Sequence, residues 1–175
     1  MAETFTAQFQ GVTFVNNKPM ADIINAHATE VFKIRKVVCT NPQTVAATGV
    51  VNQLDLRMYT TTPTFTTTVA GTLVEHDSNN TLPTSGTYQS AASISGGVLA
   101  GSIVRVFWSS DEPAVSVATA DELQNYVPLN TIYEWQPHSD VQPLTIRNGQ
   151  CLILFNVSVG TPAGNMDVYI TFTKE

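Results

Sequence analysis

Histidine is the side chain best suited to moving protons near neutral pH, and two of the three here lie beside carboxylates, in His76-Asp77 and His138-Ser139-Asp140. The third is His27. A catalytic triad is defined by geometry, so adjacency within a loop is weak support for one. No serine stands in a GxSxG elbow either. Loops use these residue types to build turns, and that reading outweighs hydrolysis. Metal chemistry is no better served. Asp111, Glu112, Asp121 and Glu122 could converge on a calcium ion, yet helix capping and the helix dipole account for them. A glycosidase pair of carboxylates would come from the same four residues, with no spacing to support it. The chain is therefore expected to be no enzyme, and to need no cofactor and no metal.

Other residues have chemistry of a quieter kind. Tyr126, Tyr133 and Trp135 form an aromatic group able to stack on sugars, and equally suited to a core or a subunit contact. Cys39 and Cys151 have no CxxC or metal-like spacing. Each stands where a small buried hydrophobe would serve, and a long-range disulfide between them stays open. Asn79-Asn80-Thr81 and Asn156-Val157-Ser158 match the glycosylation sequon, the second inside a predicted strand.

Composition narrows the class of function. The chain has 175 residues, of which 43% are hydrophobic, enough for the core of one ordinary globular domain over 1–175. Charged residues make up 13%, about half the ~25% typical of soluble domains. Thr, Ser, Asn and Gln take their place, and short neutral polar groups cost little to desolvate against a neighbour. Net charge is −6, which argues against direct nucleic-acid binding. The one basic run, Lys33, Arg35 and Lys36, reads as a solvated or partner-facing strand face. The N-terminal MAETFTAQFQG has no basic-then-apolar pattern of a secretory signal, and no apolar run approaches the ~20 residues of a membrane span. Folding in a cytoplasm, with no membrane partner, is expected.

Positioning these residues is a series of short strands. Period-two alternation marks Phe5-Ala7-Phe9, with a bend at Gly11 and a continuation through Val12 and Phe14. It recurs in Phe32 to Val38, Leu54 to Tyr59, Ile103 to Trp108, Asn130 to Trp135, and twice after Pro143. Those last two arms, QCLILFNVSV and MDVYITFTKE, read as a C-terminal hairpin turning at Gly160 to Asn165. Cys151, Ile153 and Phe155 form its expected inward face, while Leu152 and Leu154 make the first arm apolar on both sides and place it inside a sheet. Met20 to Ala28 reads as one helical turn, and Thr119 to Glu122 as the cap of a short helix over Ala120 to Tyr126. Thr60 to Thr68, broken by Pro63, reads as an edge or loop, and Tyr88 to Gly101 as a loose edge strand or exposed loop. The expected fold is an all-β antiparallel sandwich of jelly-roll type with at most one short helix.

Taken together, several segments resemble one protein group. They are NNKPMADIINA, FKIRKVVCTNPQTVAATGVVNQLDLRMY, VEHDSNN with a following LP, VFWSSDEPA, DELQNYVPLNTIYEW, and QPLTIRNGQCLILFNV with a strand ending in TFTKE. The chain resembles small β proteins encoded among the structural genes of tailed bacteriophages. That resemblance implies a virion component assembled in a host bacterial cytoplasm: a decoration, or cement, protein that binds the capsid lattice as a homo-oligomer, with a trimer favoured. The implied partners are further copies of the chain and the major capsid protein or other virion proteins. Residues 1–15 are then a candidate arm that adds to a neighbour's sheet edge, with Phe5, Phe9, Phe14 and Phe65 as candidate subunit or lattice contacts. The competing reading makes this arm the first strand of its own sandwich. A second function keeps the jelly roll as a glycan-binding module of a phage head or tail fibre, gripping sugars through Tyr126, Tyr133 and Trp135.

Overall fold

The computed structural model describes residues 2–13, 15–40, 50–110, 131–158 and 165–175. Its elements are β1 (Glu3–Thr13), β2 (Lys18–Asn25), β3 (Phe32–Thr40), β4 (Val50–Thr61), β5 (Thr64–Ala70), β6 (Thr72–Glu75), β7 (Gly86–Ser95), β8 (Val98–Ser110), β9 (Thr131–Trp135), β10 (Thr145–Ile146), β11 (Gln150–Asn156) and β12 (Asn165–Lys174). They form two antiparallel sheets packed against each other as a β-sandwich. The first runs β10-β3-β12-β1-β6, with β9 also bonded to β3; the second runs β5-β7-β2-β11-β4-β8.

The pairing is nested. β1 bonds β12, β2 bonds β11, β3 bonds β9 and β10, β4 bonds β8, and β5 bonds β7. Each step inward from the two ends of the chain meets its counterpart, which is the wrapping expected of a jelly roll.

Alternation decides what the sheets bury. From the first sheet, Phe5, Ala7, Phe9, Ile34, Val37, Val168, Ile170 and Phe172 turn inward; from the second come Ile23, Leu54, Leu56, Leu152 and Leu154. Phe172 is the centre of an aromatic stack. Phe32 lies 4.9 Å from it, Phe5 5.6 Å, and Tyr88, reaching across from the second sheet, 5.7 Å between ring centroids. Pairs of this kind add about 0.5–1.5 kcal/mol each beyond area burial.

Several sequence expectations change here. The arms of the supposed C-terminal hairpin lie in different sheets: β11 sits between β2 and β4, and β12 between β1 and β3. Both arms are interior strands with a bonded neighbour on each edge. The connection at 159–164 lies outside the described residues. The inward face of β11 is also the other one, since Leu152 and Leu154 join the main core while Cys151, Ile153 and Phe155 belong to a second cluster. Met20 to Asn25 is strand β2 rather than helix, paired on both edges. Residues 86–95 form strand β7, not a loop: its first half, Gly86 to Gln89, is bonded to β2, and its second half, Ser90 to Ser95, is bonded among the described residues to β5 alone, as the expected loose edge strand would be. The edge expected over Thr60 to Thr68 holds for Thr64–Ala70, an edge strand with Pro63 in the break before it, while Thr60 and Thr61 end β4. The helix expected over Ala120 to Tyr126 lies outside the described residues.

Of the candidate arm 1–15, the stretch Glu3–Thr13 is not free. β1 is bonded on one side to β12 and on the other to β6, with a bulge between Phe9 and Val12 where Gly11 adopts φ +64°.

The second sheet has an unusual curl. β4 and β5 are separated by Thr62 and Pro63 alone, yet they lie four strand positions apart in the sheet order. Flat, that separation is about 19 Å at ~4.8 Å per strand, while three residue steps span at most about 11 Å. The sheet must therefore bend. β4 with β5, and β7 with β8, form one long ribbon kinked at Thr62-Pro63 and Gly96-Gly97, pairing Thr61 with Val98 before the kink and Thr64 with Ser95 after it. The Thr62 amide donates to the Gly149 carbonyl at 2.9 Å, which ties the kink to the start of β11. Phe65 and Ile94, cross-strand partners just past the kink, pack on the second cluster of Tyr59, Cys151, Ile153 and Phe155. The outer face of the sheet is buried as a result.

Candidate functional site

The histidines are held in local structure. The His27 Nδ1 accepts from the amides of Glu30 at 2.9 Å and Thr29 at 3.2 Å, closing a turn. His76 Nε2 meets Thr6 Oγ1 at 2.8 Å, and Asp77 Oδ1 instead accepts from the Asn79 amide at 2.9 Å. The carbonyl of His138 accepts from Val141 in its own loop. Neither His–Asp neighbour pair makes a hydrogen bond to its imidazole among the described residues. No group of three His, Cys, Asp or Glu side chains suited to a metal occurs among the described residues, and Asp111, Glu112, Asp121 and Glu122 lie outside them. Asn156 is fully buried, donating to the Val15 carbonyl at 3.1 Å and accepting from the Ser158 amide at 3.0 Å. That sequon is a structural tie. The basic run is paired: Lys33 with Glu175, Arg35 with Glu175 at 3.9 Å, and Lys36 with Glu134 at 2.9 Å.

The residues nominated for contact or sugar stacking are placed differently from expectation. Phe5 and Phe9 are buried in the main core, because alternation turns them inward on a strand bonded on both edges. They offer nothing to a neighbouring subunit. Phe65 is half-buried against the second cluster, and Phe14 lies outside the described residues. Tyr133 and Trp135 share one face of β9, opposite Cys39 and Val37, and both pack on the main core. Tyr133 is buried and Trp135 half-buried, so these two make no exposed platform; Tyr126 lies outside the described residues. Cys39 and Cys151 are free thiols in different clusters. Burial pushes both up, Cys151 to about 12.

What the residue patterns missed is the outer face of the second sheet. Asp22 of β2, Ile153 of β11 and Arg57 of β4 are in register across three strands; so are Phe155, Asp55 and Arg105 across β11, β4 and β8. Asp55 is fully buried. Its Oδ2 accepts from Arg57 Nε, Arg105 and Ser102 Oγ, each at 2.9 Å. The Arg57 guanidinium also lies 4.1 Å over the Phe155 ring, a cation–π contact. Burial alone would raise the Asp55 carboxyl, but the hydrogen bonds from Arg57, Arg105 and Ser102 outweigh it and hold the group below its ordinary range.

Asp22 has the opposite environment. It too is fully buried, and neither carboxyl oxygen has a hydrogen-bond partner of sound geometry, although the side chain of its cross-strand neighbour Gln89 lies against it. Burial raises its carboxyl well above the usual range, and Gln89 opposes this only partly. Burial thus favours the uncharged form of Asp22, whereas the donors around Asp55 favour its charged form, on the same face. A single acid in the apolar run Met20 to Ile24 was the signal available in the sequence. Its meaning depended on burial of an outer face, which alternation does not reveal.

Chemically, this face is built to hold strands. One carboxylate clamps three donors from two strands, and the other carboxyl is shut away from substrate-sized molecules. No protein-family model matches the chain, and no curated protein or solved structure matches it.

Proposed function

We propose that the chain is a structural subunit that acts by associating with copies of itself and with a larger lattice, as a virion decoration protein does. The observation that carries this reading is the edge strand β8. It is 13 residues long and, among the described residues, bonded only to β4. Val98, Leu99 and Ile103 on it are 56%, 48% and 40% exposed, and no acidic residue lies between Val98 and Ser110. Natural edge strands are blunted by charge or proline; the only charge here, Arg105, is bound to Asp55. On a molecule of net charge −6, a neutral apolar edge is where another copy approaches with least repulsion. The resemblance to phage structural proteins supports the same reading.

Light scattering of the purified protein across a wide concentration range tests it. The expected result is a discrete oligomer, a trimer first, whose association weakens by about tenfold or more in Leu99→Lys, equivalent to about 1.4 kcal/mol. A monomer at every concentration would overturn it.

A further inference from the structure

The bonded ladder between β2 and β7 runs only from Asn25 and Gly86 to Asp22 and Gln89. Beyond Gln89, β7 leaves β2 and keeps β5 as its sole strand partner, through Ser90 to Ser95. Asp22 therefore occupies the fork at which a two-stranded flap, β5 with the second half of β7, separates from the body of the sheet. Two strands alone are marginally stable in water, so the flap depends on its underside. That underside is Phe65 and Ile94 on the second cluster.

We propose that the carboxyl of Asp22 is a proton-controlled latch on this flap: uncharged, it lets the flap lie closed over the second cluster, and ionised, it opens the fork to water. Every neighbour fits a neutral occupant. From β7 comes Gln89; from β11 come Cys151 and Ile153; from its own strand comes Ile24. Cys151 stays a neutral thiol throughout the ordinary pH range. The charged groups facing that way are Arg57 and Asp55 on β4, beyond β11, and they are already bonded to each other. A carboxylate formed at Asp22 would thus meet no cation, with the neutral Gln89 side chain as its one polar neighbour on β7, and a charge so poorly paired in an apolar setting is relieved by admitting water or by moving away. The raised carboxyl follows from the same geometry. Opening would uncover Phe65 on β5 and Ile94 on β7, and β5 is, among the described residues, an edge of the sheet.

Hydrogen exchange of the full-length protein, followed over segments 64–70 and 86–95 from about pH 5 to about pH 9, tests the latch against Asp22→Asn. The amide replacement is the closest match to a neutral acid, and intrinsic exchange is nearly the same in both proteins. The expected result is flap exchange in the wild type that outpaces the variant increasingly as pH rises, by up to about tenfold per pH unit below the carboxyl's own titration. Identical profiles in the two proteins would overturn the proposal, as would an acceleration spread evenly over both sheets. Carboxyl-carbon NMR of the wild type gives an independent check: titration of Asp22 in the ordinary range near about 4 would also overturn it.

Discussion

Asp22 and Asp55 lie on one face of one sheet with a single strand between them, both buried, and their carboxyls are shifted in opposite directions. The difference is the donors. Asp55 has two guanidiniums and a hydroxyl; Asp22 has none of sound geometry. Their effects on stability oppose each other. The depressed carboxyl of Asp55 contributes stability that is complete above the unfolded value near about 4 and is lost as pH falls through its lower folded value. For Asp22 the folded value is raised, so the native state binds the extra proton; stability is complete below about 4 and erodes as pH rises toward that folded value. Urea denaturation across pH should accordingly show highest stability in mild acid. Asp22→Asn should raise the midpoint at neutral pH and leave it little changed in acid. Asp55→Ala should cost about 3–5 kcal/mol at neutral pH, because it strands Arg57 and Arg105 without their counter-charge. An unchanged midpoint in Asp55→Ala would mean that solvent already screens both arginines.

At the scale of elements, the kinked ribbon creates the second cluster. Gly97 has φ +76°, and a Cβ there would meet the Cα and N of Pro63 and the carbonyl oxygen of Thr61, all at 2.9 Å. Gly97→Ala should therefore destabilise by about 2 kcal/mol or more, measured by chemical denaturation. Gly101→Ala is the internal control: its Cβ would meet nothing within 4 Å and its φ is ordinary, so a change between zero and a gain of about 1 kcal/mol is expected. Equal losses in the two variants would detach the kink from the effect. Ile153→Ala should cost about as much as Leu154→Ala, roughly 2–5 kcal/mol each, although only Leu154 faces the main core.

These elements also show what a residue pattern can and cannot convey. Alternation in β1, β4 and β12 correctly marked strands with a buried face, because periodicity is a property of the segment itself. It did not say which sheet a strand joins, and so β11 and β12 looked like a hairpin. The small residues of β7 left edge strand and loop both open, because Ser and Ala carry little alternation and the pairing with β5 that makes them a strand lies outside the segment. For Tyr133 and Trp135 the sequence left platform, core and subunit contact open, because residue type says what a ring is able to do; register with Val37 and Cys39 decides for the core. The buried outer face was hidden for the same reason, since it follows from a curl that no single segment encodes.

The whole molecule is a sandwich whose pairing is nested from its ends inward, and this has a cost during synthesis. β1 spans Glu3–Thr13, but its principal partner β12 is Asn165–Lys174. A ribosome adding about 5–20 residues per second leaves Phe5 and Phe9 without that partner for about 10–30 seconds. The same long-range contacts predict folding in milliseconds to seconds rather than microseconds, as stopped-flow refolding would report. They also predict that a chain cut before Asn165 loses cooperative unfolding altogether, since the missing strand separates β3 from β1. Nearly every early strand thus waits for a late one, and a nascent chain spends most of its translation as an unclosed loop whose apolar faces some other molecule must shield.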